Sequence, residues 1–183
     1  MDTELERMVR ELHDRQAIRD VIDRYSRGVD RQDKELLVSC YHPDAVDDHG
    51  MFVGGAADFF DWTWPSHLNL FRTHQHTVCN HTCELDGDVA HTETYYLFAG
   101  MTEEGSQLSM SGGRYIDRME KRDGVWKIAA RKCLVEWGND GTTFERMGDV
   151  YAAVGKTARD RSDCSYDRPL RNDPARVGIR MGV

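Results

Sequence analysis

Apolar residues near the N-terminus recur at helical spacing, but in two sets. Leu5, Met8, Val9 and Leu12 form one stripe, and Ile18, Val21, Ile22, Tyr25 and Val29 form the second. At about 100° per residue the two stripes point more than about 90° apart, so one straight helix would not bury both in the same groove. The pattern predicts a break near His13-Asp14, with Asp14 capping the second helix. Gly28 loosens that helix near its end. Asp33 caps a third, short helix carrying Leu36, Leu37, Cys40 and Tyr41, which must stop before Pro43.

Beyond Pro43 the texture changes. Residues 45–48 and 51–53 read as two short strands joined at His49-Gly50, and 56–62 as a short helix that Pro65 interrupts or ends. Four long stretches of β character follow at 73–85, 89–101, 107–122 and 125–137. Turn chemistry separates them: Asp86-Gly87-Asp88, Glu104-Gly105 and Asp123-Gly124. Links this short require antiparallel neighbours. Helices followed by an antiparallel meander make an α+β fold. The expected form is a cone, with the N-terminal helices packed in a strongly curved antiparallel sheet and a pocket on its concave face. Residues 1–137 form this domain. The 138–183 extension is polar apart from one or two possible helical turns at 142–154, and is expected to pack on the domain or on a neighbouring subunit.

Composition narrows the function classes. The 183 residues are 39% hydrophobic, enough for one sizeable core. Lys and Arg total 24 against 32 Asp and Glu, a net charge of −8 with no basic block, which disfavours nucleic-acid binding. The longest uncharged stretch, 62–71, is too short and too polar to span a bilayer. Met1-Asp2-Thr3-Glu4 has neither the basic start nor the apolar run of a secretory signal, so a soluble cytoplasmic protein is expected. Five scattered cysteines without a CxxC pair read as reduced core thiols rather than a zinc site.

Candidate chemistry gathers at a few positions. Asp30 follows Gly28-Val29 at the end of a helix, where an anion meets the negative end of the macrodipole and needs a partner or a purpose. In Thr73-His74-Gln75-His76-Thr77-Val78-Cys79-Asn80-His81, alternation puts His74, His76, Val78 and Asn80 on one face and His81 on the other. Histidines facing the cone interior suit a general base. The His-x-His pair also suits a metal if Asp30, His49 or Glu93 completed the set, and structural or surface histidines are the plain alternative. Arg131, counted in twos with Ala129, Cys133 and Val135, can point inward, where it would need an anion. Tyr25 lies on the core stripe with a hydroxyl to satisfy, and His49 sits at a bend near the pocket mouth. Trp62 and Trp64, in the run Phe59-Phe60-Asp61-Trp62-Thr63-Trp64, suit either a pocket lid or an oligomer contact.

Three segments carry a family resemblance: Tyr25 to Asp33 (YSRGVDRQD), Tyr41-His42-Pro43-Asp44-Ala45, and Arg122-Asp123-Gly124-Val125-Trp126-Lys127-Ile128. In order and spacing they resemble the SnoaL-like branch of the NTF2-like superfamily across roughly residues 10 to 137, and within it the scytalone dehydratase and hexachlorocyclohexane dehydrochlorinase branch. The resemblance implies the cone fold, in dimers or trimers. It implies a catalytic dyad of Asp30 and His76, with Tyr25, His49 and Arg131 around a substrate. It also shows departures: Ala99 stands where the dehydratase has a second histidine, Gly113 and Tyr115 near its serine and asparagine, and no lysine stands near Tyr25, where the dehydrochlorinase has one.

The expectation is a cofactor-independent lyase-type enzyme, without metal, catalysing dehydration, elimination or isomerisation of a small hydrophobic molecule, aromatic and polycyclic ones included. His76 would be the base, Asp30 its orienting partner, and Trp62 and Trp64 pocket walls. The alternative is a non-catalytic small-molecule-binding or accessory protein, which would hold Asp30 and His76 beyond hydrogen-bond reach. In 89–101, Tyr95 and Leu97 oppose Tyr96 and Phe98, so both sheet faces want cover and a homo-oligomer on the outer face is expected.

Overall fold

The computed structural model describes residues 3–102, 107–139 and 158–180. The expected Glu104-Gly105 turn and the helical turns of 142–154 lie outside the described residues. One helix, α1 (Glu4–Arg31), runs straight through the point where the two stripes diverge. Thr3 and Glu6 close a capping box at its start, and the pairs Arg15–Glu11 and Arg19–Asp23 brace its polar side. The second stripe is buried, whereas Leu5, Met8, Val9 and Leu12 stay 49–69% exposed. The break expected near His13-Asp14 is absent, because among the described residues the first stripe meets no groove toward which a turn would carry it. Asp14 caps nothing. It accepts from the Trp126 indole at 2.8 Å and the Lys121 ammonium at 3.0 Å, tying the helix to the sheet.

Gly28 makes the next corner. A Cβ there would lie 2.9 Å from the Leu37 backbone nitrogen, so only glycine lets α2 (Lys34–Ser39) fold back this closely. Asp33 caps α2 as the sequence predicts, its side chain accepting from Leu36 N. Tyr41, however, begins strand β1 (Tyr41–Asp48) rather than ending the helix. Pro43 is tolerated in that strand because β2 (Val53–Gly54) reaches only Asp47 and Asp48, leaving the proline's side of the ladder open. The next helix, α3 (Ala56–Leu70), continues past Pro65. Its buried residues Ala56, Phe59, Phe60 and Thr63 recur at helical spacing while Pro65 faces solvent. Burying that aromatic face outweighs the roughly 3 kcal/mol that an interior proline costs.

Strands β3 (Phe71–Asp86), β4 (Val89–Thr102), β5 (Leu108–Arg122) and β6 (Val125–Gly138) form the antiparallel meander. The full order is β2-β1-β6-β5-β4-β3. Because β1 lies parallel to β6, the sheet is mixed rather than wholly antiparallel. It curves around the C-terminal half of α1, and Ile18, Ile22, Tyr25, Met119, Trp126 and Ile128 share one core. A bulge between Val78 and His81 puts one extra residue into β3, which bends the strand and exchanges its faces. Asn80 is therefore exposed, and His81 turns inward to bond Thr94 Oγ1 at 2.8 Å, the reverse of strict alternation. A second irregularity, between Arg118 and Met119 of β5, lets Ile128 and Arg131 of β6 both face the interior.

Residues 158–180 lie on the outer sheet face. Leu170 is fully buried against Ile116 and Leu134, and Arg114 pairs with Asp163 at 2.8 Å while also holding Glu93 and Glu136. Val53 N donates to Ile179 O at 3.0 Å, so the segment also closes the β2 end. Tyr95, Leu97, Leu108 and Trp137 remain exposed on the chain. All five cysteines are free thiols. Among the described residues, no helix is long and apolar enough to cross a membrane.

Candidate functional site

The last turn of α1 delivers Asp30 to the edge of β3. Its Oδ1 lies 2.7 Å from His76 Nδ1, and its Oδ2 accepts from the His76 backbone N–H at 2.8 Å. These two bonds supply the partner that a carboxylate at a helix C-terminus needs. They also fix the imidazole: Nδ1–H donates to the carboxylate, and Nε2 is the nitrogen that Asp30 leaves unengaged. The ring stands beside Phe98 at 5.1 Å and Tyr96 at 6.2 Å, with both side chains of the dyad only about a tenth exposed (10% and 11%). On the opposite side, Asp30 and His76 line a groove of about 430 Å³ with Ser26, Arg27, Arg31 and Thr77.

His74 joins the same cluster. Its side chain is 4% exposed and its Nε2 lies 3.8 Å from Asp30 Oδ1, without a hydrogen-bond partner among the described residues. Burial lowers its pKa, as does the nearby His76. His67, carried in on α3, stands 4.8 Å from the His74 ring. Burial, then the charges of His74 and His76, hold it down at about 3, so it is neutral at physiological pH.

A second polar centre lies deeper. The Asp47 carboxylate accepts from both the Tyr41 hydroxyl and His49 Nδ1. His49 Nε2 lies 3.4 Å from the Tyr25 hydroxyl, and the ring stacks on Phe59 at 4.2 Å. Burial opposes the imidazolium, but the Asp47 charge and, after it, Cys133 overcome it and raise His49 to about 10. Arg131 is fully buried. Its Nε and Nη2 donate to Asp117 at 2.7 and 2.8 Å, and its guanidinium sits between the Tyr25 and Tyr115 rings at 4.1 and 4.3 Å. The inward direction is the one alternation suggests, and the anion it needs is Asp117. Burial raises the Asp117 pKa against the pull of Arg131.

Trp62 packs against Phe52 and Phe59 at 5.5 and 6.3 Å, and Trp64 stacks on Phe60 at 5.6 Å, so both belong to the wall that α3 makes over the core. Glu93, weighed as a metal ligand, faces outward to Arg114. Among the described residues no group of three or more His, Cys, Asp or Glu side chains is arranged to hold a metal ion.

The structure thus brings Asp30 to His76 and Tyr25 to both His49 and Arg131. It adds residues the sequence did not single out: Asp47, Asp117, Tyr41 and His67. Asp47 carried one legible signal, its place two residues before His49. His67 was hidden by the helix stop expected at Pro65.

The SnoaL-like domain family matches residues 10–132. A type 2 hexachlorocyclohexane dehydrochlorinase is 23% identical over 70% of this chain and 89% of its own, with a TM-score of 0.64. A protein described as a putative scytalone dehydratase from Novosphingobium aromaticivorans is 21% identical over 71% and 89%, with a TM-score of 0.63. A Mycobacterium tuberculosis protein of unknown function is 22% identical over 86% and 100%, with a TM-score of 0.67. No curated protein matches.

Proposed function

The chain belongs to the SnoaL-like family, and from that premise we propose that it is a cofactor-independent lyase-type enzyme acting on a small hydrophobic molecule. The observation that carries the reading is the 2.7 Å contact between Asp30 and His76, the separation a working dyad needs and a binding protein does not. His76 Nε2 removes a proton from carbon beside an electron-withdrawing group. Asp30 keeps the ring in the tautomer that leaves Nε2 free and steadies the imidazolium once the proton arrives.

The negative charge left on the substrate meets hydrogen-bond donors on the cone floor, Tyr25 and His49. Arg131 acts from behind them. With two of its nitrogens bound to Asp117, it polarises Tyr25 through the ring face rather than gripping the substrate itself. The rings beside His76, Phe98 at 5.1 Å and Tyr96 at 6.2 Å, suit an aromatic or polycyclic substrate, and Trp62 and Trp64 are proposed to close over it and exclude water from the carbanion. Dehydration, elimination of another leaving group and isomerisation all begin with this proton transfer.

Replacing His76 with Ala, in an assay with a turned-over substrate, is expected to lower the rate by about 10²–10⁴-fold while the circular dichroism spectrum and melting transition persist. Full activity in this variant would sink the assignment.

A further inference from the structure

A second histidine–carboxylate pair, Asp47 and His49, lies deeper than Asp30 and His76. His49 closes β1, where Gly50, with φ 76, turns the backbone sharply back toward β2. His49 Nδ1 is held by Asp47, a carboxylate with no exposed surface whose other contact is the Tyr41 hydroxyl. Phe59, stacked at 4.2 Å, fixes the ring plane. Nε2 is left pointing at the Tyr25 hydroxyl, and 17% of the side chain's surface stays open. A continuous ring wall joins the two pairs: His76 to Tyr96 at 6.2 Å, Tyr96 stacked on Tyr115 at 4.5 Å, Tyr115 to Tyr25 at 5.5 Å. The charges of His76 and His49 both act on His67, and the ring wall runs from one pair to the other.

We propose that Asp47 is a positioning residue that holds His49 as an imidazolium on the ring wall shared with Asp30 and His76, so that the site delivers a proton as well as removing one and selects an oxygen leaving group over a halide. The inference rests on the lyase reading above. The charged and titratable groups around His49 are Asp47 and Tyr41 from β1, Tyr25 from α1, His67 from α3, Asp117 from β5, and Cys133 and Arg131 from β6. Arg131 and Asp117 neutralise each other. The Asp47 charge is therefore left to His49, in agreement with the imidazolium persisting to about pH 10.

The step balances without a further reactant. His76 Nε2 takes the proton from carbon, and the C–H electron pair becomes the new C=C bond. The C–O bond breaks toward oxygen, which takes the proton from His49 Nε2 and leaves as water. The site ends with His76 protonated and His49 neutral, and exchange with solvent restores both. A halide departs as a stable anion and gains little from such an acid, whereas hydroxide is too poor a leaving group to depart without one.

The test has two arms on the full chain. In nitrogen-15 histidine spectra at about pH 8, His49 is expected to carry protons on both nitrogens, and Asp47→Asn to remove one. A neutral His49 in the unaltered protein overturns the proposal whatever the substrate. The second arm compares loss of water from 4-hydroxy-4-phenylbutan-2-one with loss of chloride from its 4-chloro counterpart. The ratio of the two rates is expected to fall about 100-fold in Asp47→Asn, and likewise in His49→Gln should the first variant not fold. An unchanged ratio overturns the proposal. Deuterium uptake from heavy water at the carbons flanking the carbonyl of 4-phenylbutan-2-one needs only the base. Its absence in the unaltered protein counts against the lyase reading, and the histidine spectra still decide the role of Asp47.

Discussion

Replacing Arg131 with Met removes the cation to which the Asp117 carboxylate is hydrogen-bonded through both oxygens. Neither side chain has exposed surface, and two hydrogen bonds of 2.7 and 2.8 Å join them. Breaking a buried ion pair from one side costs about 3–5 kcal/mol, because the remaining charge stays desolvated. Here the upper half of that range is expected, since the guanidinium also lies against Tyr25 and Tyr115 at 4.1 and 4.3 Å and a desolvated contact of that kind is worth about 2 kcal/mol. The double variant Arg131→Met, Asp117→Leu leaves no orphan charge, and is expected to fall within about 2 kcal/mol of the unaltered protein. Urea unfolding of the four proteins gives the coupling between the two positions directly.

The pH dependence has a definite sign. Burial already raises the Asp117 pKa, and removing Arg131 takes away the main opposing influence. A carboxyl whose folded pKa is raised binds a proton that the unfolded chain has released, so its contribution is most favourable below its ordinary value of 3.8 and is lost as pH rises above it. The deficit of Arg131→Met relative to the unaltered protein is therefore expected to shrink from pH 7 toward pH 5. A single-variant cost below about 1 kcal/mol, or a double variant no better than the sum of the singles, would refute the view that Arg131 is committed to Asp117.

Gly28→Ala puts a methyl group 2.9 Å from the Leu37 backbone, and a loss of about 1–3 kcal/mol in urea unfolding is expected as α2 is pushed away. Leu170→Ala empties the pocket between Ile116 and Leu134, with an expected cost of about 2–5 kcal/mol and faster proteolysis within residues 158–180. Light scattering at micromolar concentration is expected to give a multiple of 21.0 kDa, because Tyr95, Leu97, Leu108 and Trp137 leave the outer sheet face apolar even with the tail in place. A monomer mass would contradict it.

The order of elements and the architecture were legible in the sequence because both rest on short-range chemistry. Glycine and aspartate turns at 86–88 and 123–124 force antiparallel neighbours wherever they occur. The Ile18 to Val29 stripe buries because its spacing matches a helix. Asp30 and His76 were paired by a likeness in residue order, and the two bonds between them required a contact across 46 positions that periodicity does not encode. Where the reading departed from the fold, a long-range term prevailed over a local one. Pro65 stays within α3 because the Phe59 and Phe60 face is buried, and α1 stays whole because no surface among the described residues accepts Leu5 to Leu12. The bulge after Val78 exchanges the faces of β3, so alternation counted from His74 holds only as far as the bulge. The partner of each buried charge was decided in the same way. Arg131 meets Asp117 and His49 meets Asp47 because sheet register and a turn put them within hydrogen-bond reach, and in a desolvated interior that proximity determines both where the protons reside and which charges remain free to act.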